Sequence, residues 1–146
     1  MVIEMPLYQV SVLTENKPAT MAKVLSALDG FKVFALSIAE AGEFGLVRLI
    51  SSEPQKASDH LERSGFNLAK SKKNVEVTGV LVTDKNKPSK IAGLLGGSGI
   101  NIDYAYSSSL PINGRFALIL RTDNVEKGEE ILIQNGIQVL GQKDLL

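Results

Sequence analysis

Apolar positions recur along the chain in two rhythms. From Tyr8 to Thr14, and again from Val75 to Thr83, β-branched and apolar residues form short runs bounded by polar turns, as strands do. Met21, Val24, Leu25 and Leu28 then fall at i, i+3, i+4 and i+7, one face of a helix. Ile91, Leu94 and Leu95 repeat that face, with Ser98 at its last position. A proline, Pro18 or Pro88, precedes each face and suits the first helical turn, where its missing N–H is not needed. Gly30 and Gly99 supply the stops. The same reading places second strands over Phe31–Ala39 and Ile100–Tyr106, and third strands over Gly45–Ser51 and Arg115–Arg121. Second helices are expected over Pro54–Ser64 and Val125–Asn135, ended by Gly65 and Gly136, with last strands starting at Phe66 and Ile137.

These two series are one series repeated. Asn16-Lys17-Pro18 recurs as Asn86-Lys87-Pro88 at an offset of 70, and Gly30-Phe31-Lys32-Val33 falls on Gly99-Ile100-Asn101-Ile102 at 69. Phe44 falls on Phe116, Leu61 on Leu132 and Gly65 on Gly136. The drift in offset occurs in predicted loops. The order βαββαβ, twice over, predicts an α+β protein of two ferredoxin-like units, each an antiparallel four-stranded sheet with helices on one face. The expected domains are residues 1–73 and 74–146. On the second strand of the first copy, Phe31, Val33 and Ala35 alternate with Phe34, Leu36 and Ile38, so both faces read as apolar. The outward positions of the second copy are Asp103, Ala105 and Ser107. One sheet face of the first copy is therefore expected to be covered, by the second copy or by another chain, and a homodimer is expected.

Composition narrows the chemistry. Hydrophobic residues make up 44% of the 146, enough for a packed core. Sixteen basic and 16 acidic side chains cancel, which disfavours nucleic-acid partners. There is no cysteine, and His60 is the single histidine, so neither thiolate chemistry nor a histidine metal site is expected. No signal peptide is read at Met1–Pro6, and no run approaches the roughly 20 apolar residues of a membrane span. The expectation is a cytoplasmic protein that touches no membrane and carries no metal or cofactor.

Two stretches resemble the ACT domain, a small ligand-sensing module of amino-acid metabolism. One is Val12-Leu13-Thr14-Glu15-Asn16-Lys17-Pro18, with its twin Val82-Thr83-Asp84-Lys85-Asn86-Lys87-Pro88. The other is Gly99-Ile100-Asn101-Ile102-Asp103, similar to the opening of that family's second strand. The resemblance covers nearly the whole chain as two tandem domains. It implies a non-catalytic protein that binds a free amino acid or related metabolite and reports it to a partner enzyme or through its own oligomeric state. It also implies sites where the first turn of one domain meets the second strand of a neighbour. Carried over, the second-copy candidates are Asp84, Lys85, Asn86, Lys87, Pro88 and Ser89, with Ile100, Asn101 and Ile102. The first-copy candidates are Glu15, Asn16, Pro18 and Ala19 within the turn Thr14–Ala19, with Val33 beside Phe31 and Lys32. Family members that bind ligand commonly have glycine after the proline; here the residues are Ala19 and Ser89. With Asn101 where the first copy has Lys32, the second copy reads as the better binder.

The chemistry of such a turn is simple. A carboxylate needs N–H donors, which a helix N-terminus supplies, and an ammonium needs acceptors such as Asp84, Asn86, Glu15 or Asn16. Asn16 and Asn86 serve equally well as residues that organise the turn. A regulatory subunit or structural adaptor with inactive ligand sites is the alternative. An RNA-binding RRM shares the strand order, and Gly42-Glu43-Phe44-Gly45 echoes its third strand. The later stacking positions, however, are Leu46 and Leu49. For catalysis, Glu129 and Glu130 read as a solvated face, His60 as exposed, and Ser107–Ser109 as a loop. Gly93, Gly96, Gly97 and Gly99 lie within and after a helix, not before one as in a phosphate loop. They point to close packing of that helix or to a helix weakened for movement.

Overall fold

A computed structural model describes residues 6–68 and 75–146. The chain folds as two compact units, Tyr8–Val75 and, together with the residues up to Leu7, Glu76–Leu146. The expected boundary between residues 73 and 74 lies outside the described residues. The first copy runs β1 (Leu7–Glu15), α1 (Thr20–Ala27), β2 (Val33–Ala41), β3 (Phe44–Ser51), α2 (Pro54–Arg63) and β4 (Asn67–Leu68). The second runs β5 (Val75–Leu81), α3 (Pro88–Gly97), β6 (Ile102–Ser107), β7 (Ala117–Thr122), α4 (Val125–Gln134) and β8 (Val139–Leu140), followed by a 3-10 turn at Gln142–Leu145. All pairings within each copy are antiparallel: β4 with β1, β1 with β3 and β3 with β2, then β8 with β5, β5 with β7 and β7 with β6. These are the two ferredoxin-like units that the repeated pattern predicts.

Each copy has its own core between helices and sheet. In the first, Val10 and Val12 of β1 and Val47 and Leu49 of β3 meet Val24, Leu28, Ala57 and Leu61 from the helical side. In the second, Val80, Leu120, Ile91, Leu95, Leu132, Ile100 and Ile137 do the same. Burying each such side chain contributes about 1.5–3 kcal/mol.

The duplication extends to an irregularity. Register slips by one residue between Val33 and Ala35 of β2, and likewise between Ile102 and Tyr104 of β6. These bulges fall at equivalent positions and correct the expected alternation. Beyond the bulge Leu36 pairs with Leu49 and joins Val33 and Phe31 on the core, while Ala35 pairs with Ile50 on the other face. Phe34 and Ala35 are buried, and Ile38 is 51% exposed. In β6, Asp103, Ala105 and Ser107 are exposed as expected, but Ala105 pairs with the core residue Leu120. Ala105 thus lies on the helix side of the edge, and Tyr104 and Tyr106 stack on the other side.

Other expectations are corrected by local geometry. Pro18 is not in a first helical turn, because α1 begins only at Thr20, after Ala19 in a left-handed conformation (φ 72). Pro88 does open α3, as expected. Gly30 lies beyond the Leu28 cap without a positive φ, whereas Gly99 (φ 77) turns the chain out of α3. β5 ends at Leu81 and β7 starts at Ala117; Arg115 instead closes a hairpin with Ile112 through Asn113 and Gly114, both at positive φ. His60 is half-buried, its ring 5.6 Å from that of Phe31. Glu129 is buried, not solvated.

The glycines of α3 do not mark close packing. A Cβ added at Gly93, Gly96 or Gly97 meets nothing within 4 Å. All three therefore cost helix stability without filling a contact. Gly93→Ala is expected to stabilise the protein by about 0.5–1 kcal/mol, read as a rise in the urea midpoint at constant slope.

Candidate functional site

In the first copy the turn from β1 into α1 is tied to the hairpin between β2 and β3. The Asn16 backbone N–H donates to Glu43 O at 2.8 Å, and its side-chain amide donates to Gly42 O at 3.1 Å. Asn16 is thus committed to holding the turn against the hairpin. Thr14 is buried behind it, its hydroxyl 3.5 Å from Gly45 O. A side chain at Gly45 would crowd that hydroxyl, with a Cβ only 3.1 Å from Oγ1. Glu15 and Lys17 form an ion pair at 2.8 Å, and the lysine's hydrogen bond and charge hold the carboxyl below its ordinary range. No side chain caps α1, and the Thr20 N–H at its start donates to Lys17 O at 3.4 Å.

Beside this turn lies a cleft of about 390 Å³. Leu13, Thr14, Glu15 and Lys17 come from the end of β1 and the turn, and Thr20 and Lys23 from α1. Phe44 comes from the start of β3, and Gly65, Phe66 and Asn67 from the bend between α2 and β4. The volume falls in the usual range for small-molecule sites, about 300–1,000 Å³. The cleft takes in Glu15 and other parts of the expected turn. Asn16, Pro18 and Ala19 do not line it. Val33 is elsewhere, packed on the core.

The register explains that separation. Glu15 pairs with Phe44 at one end of β3, and Val33 pairs with Ser51 at the other. In the second copy Leu81 pairs with Ala117 and Ile102 with Thr122, so the turn after β5 and the start of β6 lie at opposite ends of β7, about 17 Å apart. Neither copy brings its own turn and its own second-strand segment together.

The second-copy turn is built differently. The Asn86 N–H donates to Thr83 Oγ1 at 3.0 Å, the Thr83 N–H donates to Asn86 O at 3.3 Å, and the Asn86 side-chain oxygen accepts from Lys90 Nζ at 3.0 Å. Asp84 and Lys85 are exposed, Lys87 is extended just before the helix, and Pro88 and Ser89 are already helical. Ile100 is buried in the core and Ile102 packs against it. The Asn101 N–H donates to Asp123 Oδ1 at 3.0 Å, and its side chain donates to Asp103 Oδ1 at 2.9 Å.

Leu13, Lys23, Phe44, Phe66 and Asn67 line the cleft without having been expected from the sequence. Part of the signal was there. In an antiparallel β1–β3 pair, the end of the first strand meets the start of the third, and Phe44 is the residue at that start. The contribution of Phe66 and Asn67 depends on how tightly the chain bends after Gly65 (φ 90), which no periodicity reports.

The sequence matches the ACT domain pair family over residues 5–146. The chain belongs to that family. No curated protein sequence matches this ACT pair. Among solved structures it is similar to protein BT0572 from Bacteroides thetaiotaomicron, with 29% identity and a TM-score of 0.80 over 97% of this chain and 96% of the other. It also resembles the ligand-free regulatory subunit of aspartate kinase from Thermus thermophilus, with 17% identity and a TM-score of 0.59 over 91% and 95% of the two chains. The regulatory subunit of aspartate kinase from Thermus flavus gives 17% identity and 0.58 over 90% and 93%. At these identities the Thermus proteins share the fold. No helix among the described residues of this ACT pair is long and apolar enough to cross a membrane.

Proposed function

We propose that this ACT pair is a non-catalytic regulatory protein that binds a free amino acid or related small metabolite. The observation that carries the proposal is the cleft at the β1–α1 turn, lined by charged, hydroxyl-bearing and apolar residues. The ligand carboxylate lies toward Lys23 and the uncapped start of α1. The second-copy turn, with Asp84, Lys85, Asn86 and Ser89 beside the start of α3, is a further candidate. The Thermus relatives are regulatory subunits of an enzyme, and the same kind of output, through a partner enzyme or a homodimer, is proposed here. Exposed Phe44 and Phe116, 48% and 57% accessible, suit such assembly.

A thermal-shift screen of the common amino acids and their deaminated analogues tests this reading. A ligand at 100 times its Kd adds about 2.7 kcal/mol of stability, a shift of several degrees. Saturable shifts with one chemical class are expected. No shift with any compound leaves a structural adaptor as the better description.

A further inference from the structure

We infer that Asn113, in the connection between β6 and β7, is a site of spontaneous deamidation in the folded protein, and that the fold protects the chain's other Asn-Gly pair, Asn135-Gly136. The reaction needs an asparagine whose side chain can be reached by the backbone nitrogen of the next residue. The Gly114 nitrogen attacks Asn113 Cγ and forms a new N–C bond. The bond from Cγ to the side-chain nitrogen breaks, and that nitrogen leaves as ammonia with the proton of the Gly114 N–H. Water then opens the cyclic imide at either of its carbonyl carbons and gives aspartate or isoaspartate. Glycine favours the attack because it has no Cβ to obstruct it.

All four residues of the two pairs are exposed, so accessibility does not separate them. Hydrogen bonding does. Asn113 and Gly114 are the central residues of a turn closed by Ile112 and Arg115. The Ile112 N–H donates to Arg115 O at 2.7 Å, and the Arg115 N–H donates to Ile112 O at 3.1 Å. Those bonds use neither reacting group. Among the described residues the Asn113 amide and the Gly114 N–H have no hydrogen-bond partner, and a Cβ placed at Gly114 meets nothing within 4 Å. At the end of α4 both reacting groups are held. The Asn135 side-chain amide donates to Ile131 O at 2.8 Å, and the Gly136 N–H donates to Ile133 O at 3.1 Å. The next residue, Ile137, is 2% exposed in the core, with its N–H on Leu132 O at 3.0 Å. Ring closure at Asn135 must first break two hydrogen bonds, which slows it at least about tenfold.

The product alters one loop of one copy. Isoaspartate carries the main chain through an extra carbon, and a two-residue turn lengthened in this way no longer aligns Ile112 with Arg115. Either product adds a carboxylate to a loop whose Leu110 and Phe116 are 38% and 57% exposed. The first copy's hairpin turns at Gly42 and Glu43 and holds no asparagine.

The test keeps the full chain folded in neutral buffer for several weeks, beside a sample unfolded in guanidinium chloride. Tryptic peptides 91–115 and 128–143 are then read by tandem mass spectrometry. Reading by site separates Asn113 from Asn101 in the same peptide, and from Asp29-Gly30, which forms the same imide by losing water. In the folded sample Asn113 is expected to convert at least about tenfold faster than Asn135, and in denaturant the two rates are expected to converge. Asn113 intact in the folded sample while it converts in denaturant overturns the inference, because the native turn is then itself protective. Equal rates in the folded sample overturn it as well. So does a difference that persists undiminished in guanidinium, which belongs to the flanking residues and not to the fold.

Discussion

Glu129→Gln is expected to leave stability nearly unchanged at about pH 4.5 and to raise it by about 1–2 kcal/mol at pH 8. Glu129 is only 7% exposed, and its carboxyl accepts a hydrogen bond from Thr78 Oγ1 at 3.1 Å. Burial pushes its pKa up from 4.5 to about 7; the Thr78 hydrogen bond opposes the rise, and the nearby Glu76 charge adds to it. Below the unfolded value, folded and unfolded chains both hold the proton and no stability is lost. Between that value and about 7, the folded state holds a proton that the unfolded state has released, so stability falls as pH rises. Above that window both forms are ionised, and the full cost of the buried charge remains. Glutamine keeps an acceptor for Thr78 and has no charge to desolvate. The quantity to measure is the Tm difference between variant and parent from pH 4.5 to pH 8. It is expected to grow by about 3–6 °C, since each kcal/mol moves Tm by roughly 2–4 °C in a chain of this size. A difference that stays flat across that range would show that Glu129 is ionised without penalty.

The same substitution at the two repeat-equivalent positions after the prolines is expected to act with opposite signs. Ala19 sits at φ 72, where a Cβ costs an L-residue roughly 1–2 kcal/mol, so Ala19→Gly is expected to stabilise by about 1 kcal/mol. Ser89 lies in the first turn of α3, where glycine gains nothing from its freedom and loses helix propensity. Ser89→Gly is therefore expected to destabilise by about 0.5 kcal/mol. Urea unfolding of both variants checks the pair, and shifts of the same sign would remove the structural distinction between the two turns. The glycine that ligand-binding ACT domains commonly carry thus matches a backbone conformation this chain retains in the first copy alone. That separates the question of space for a ligand from the question of strain.

The repeat, the element order and both helix-facing cores were legible in the residues, because period and alternation depend only on local geometry. Val24 and Leu28 in the first copy, and Ile91 and Leu95 in the second, sit on the stripes that helical spacing drew. The site was legible in one part. Glu15 and its turn follow from the strand–turn–helix pattern and lie on the cleft, whereas Val33 and Ile100–Ile102, expected to meet the turn of a neighbouring domain, lie far from the turn of their own copy. Glu129 shows the same limit from the other side. Next to Glu130 on a polar-looking helix it reads as solvated, and only packing against Thr78 reveals it as buried.

By itself, then, the sequence of this ACT pair determined its duplication, its two βαββαβ units and the turns that follow β1 and β5. Tertiary structure alone decided that Asn-Lys-Pro leads into a left-handed Ala19 in one copy and directly into a helix in the other. It also decided that Lys23, Phe44, Phe66 and Asn67 share a cleft with Glu15. The physical reason is that side-chain periodicity is written within an element. The angle at which a turn enters a helix, and which strand end meets which bend, are set by hydrogen bonds between residues far apart in the chain, such as those from Asn16 to Gly42 and Glu43.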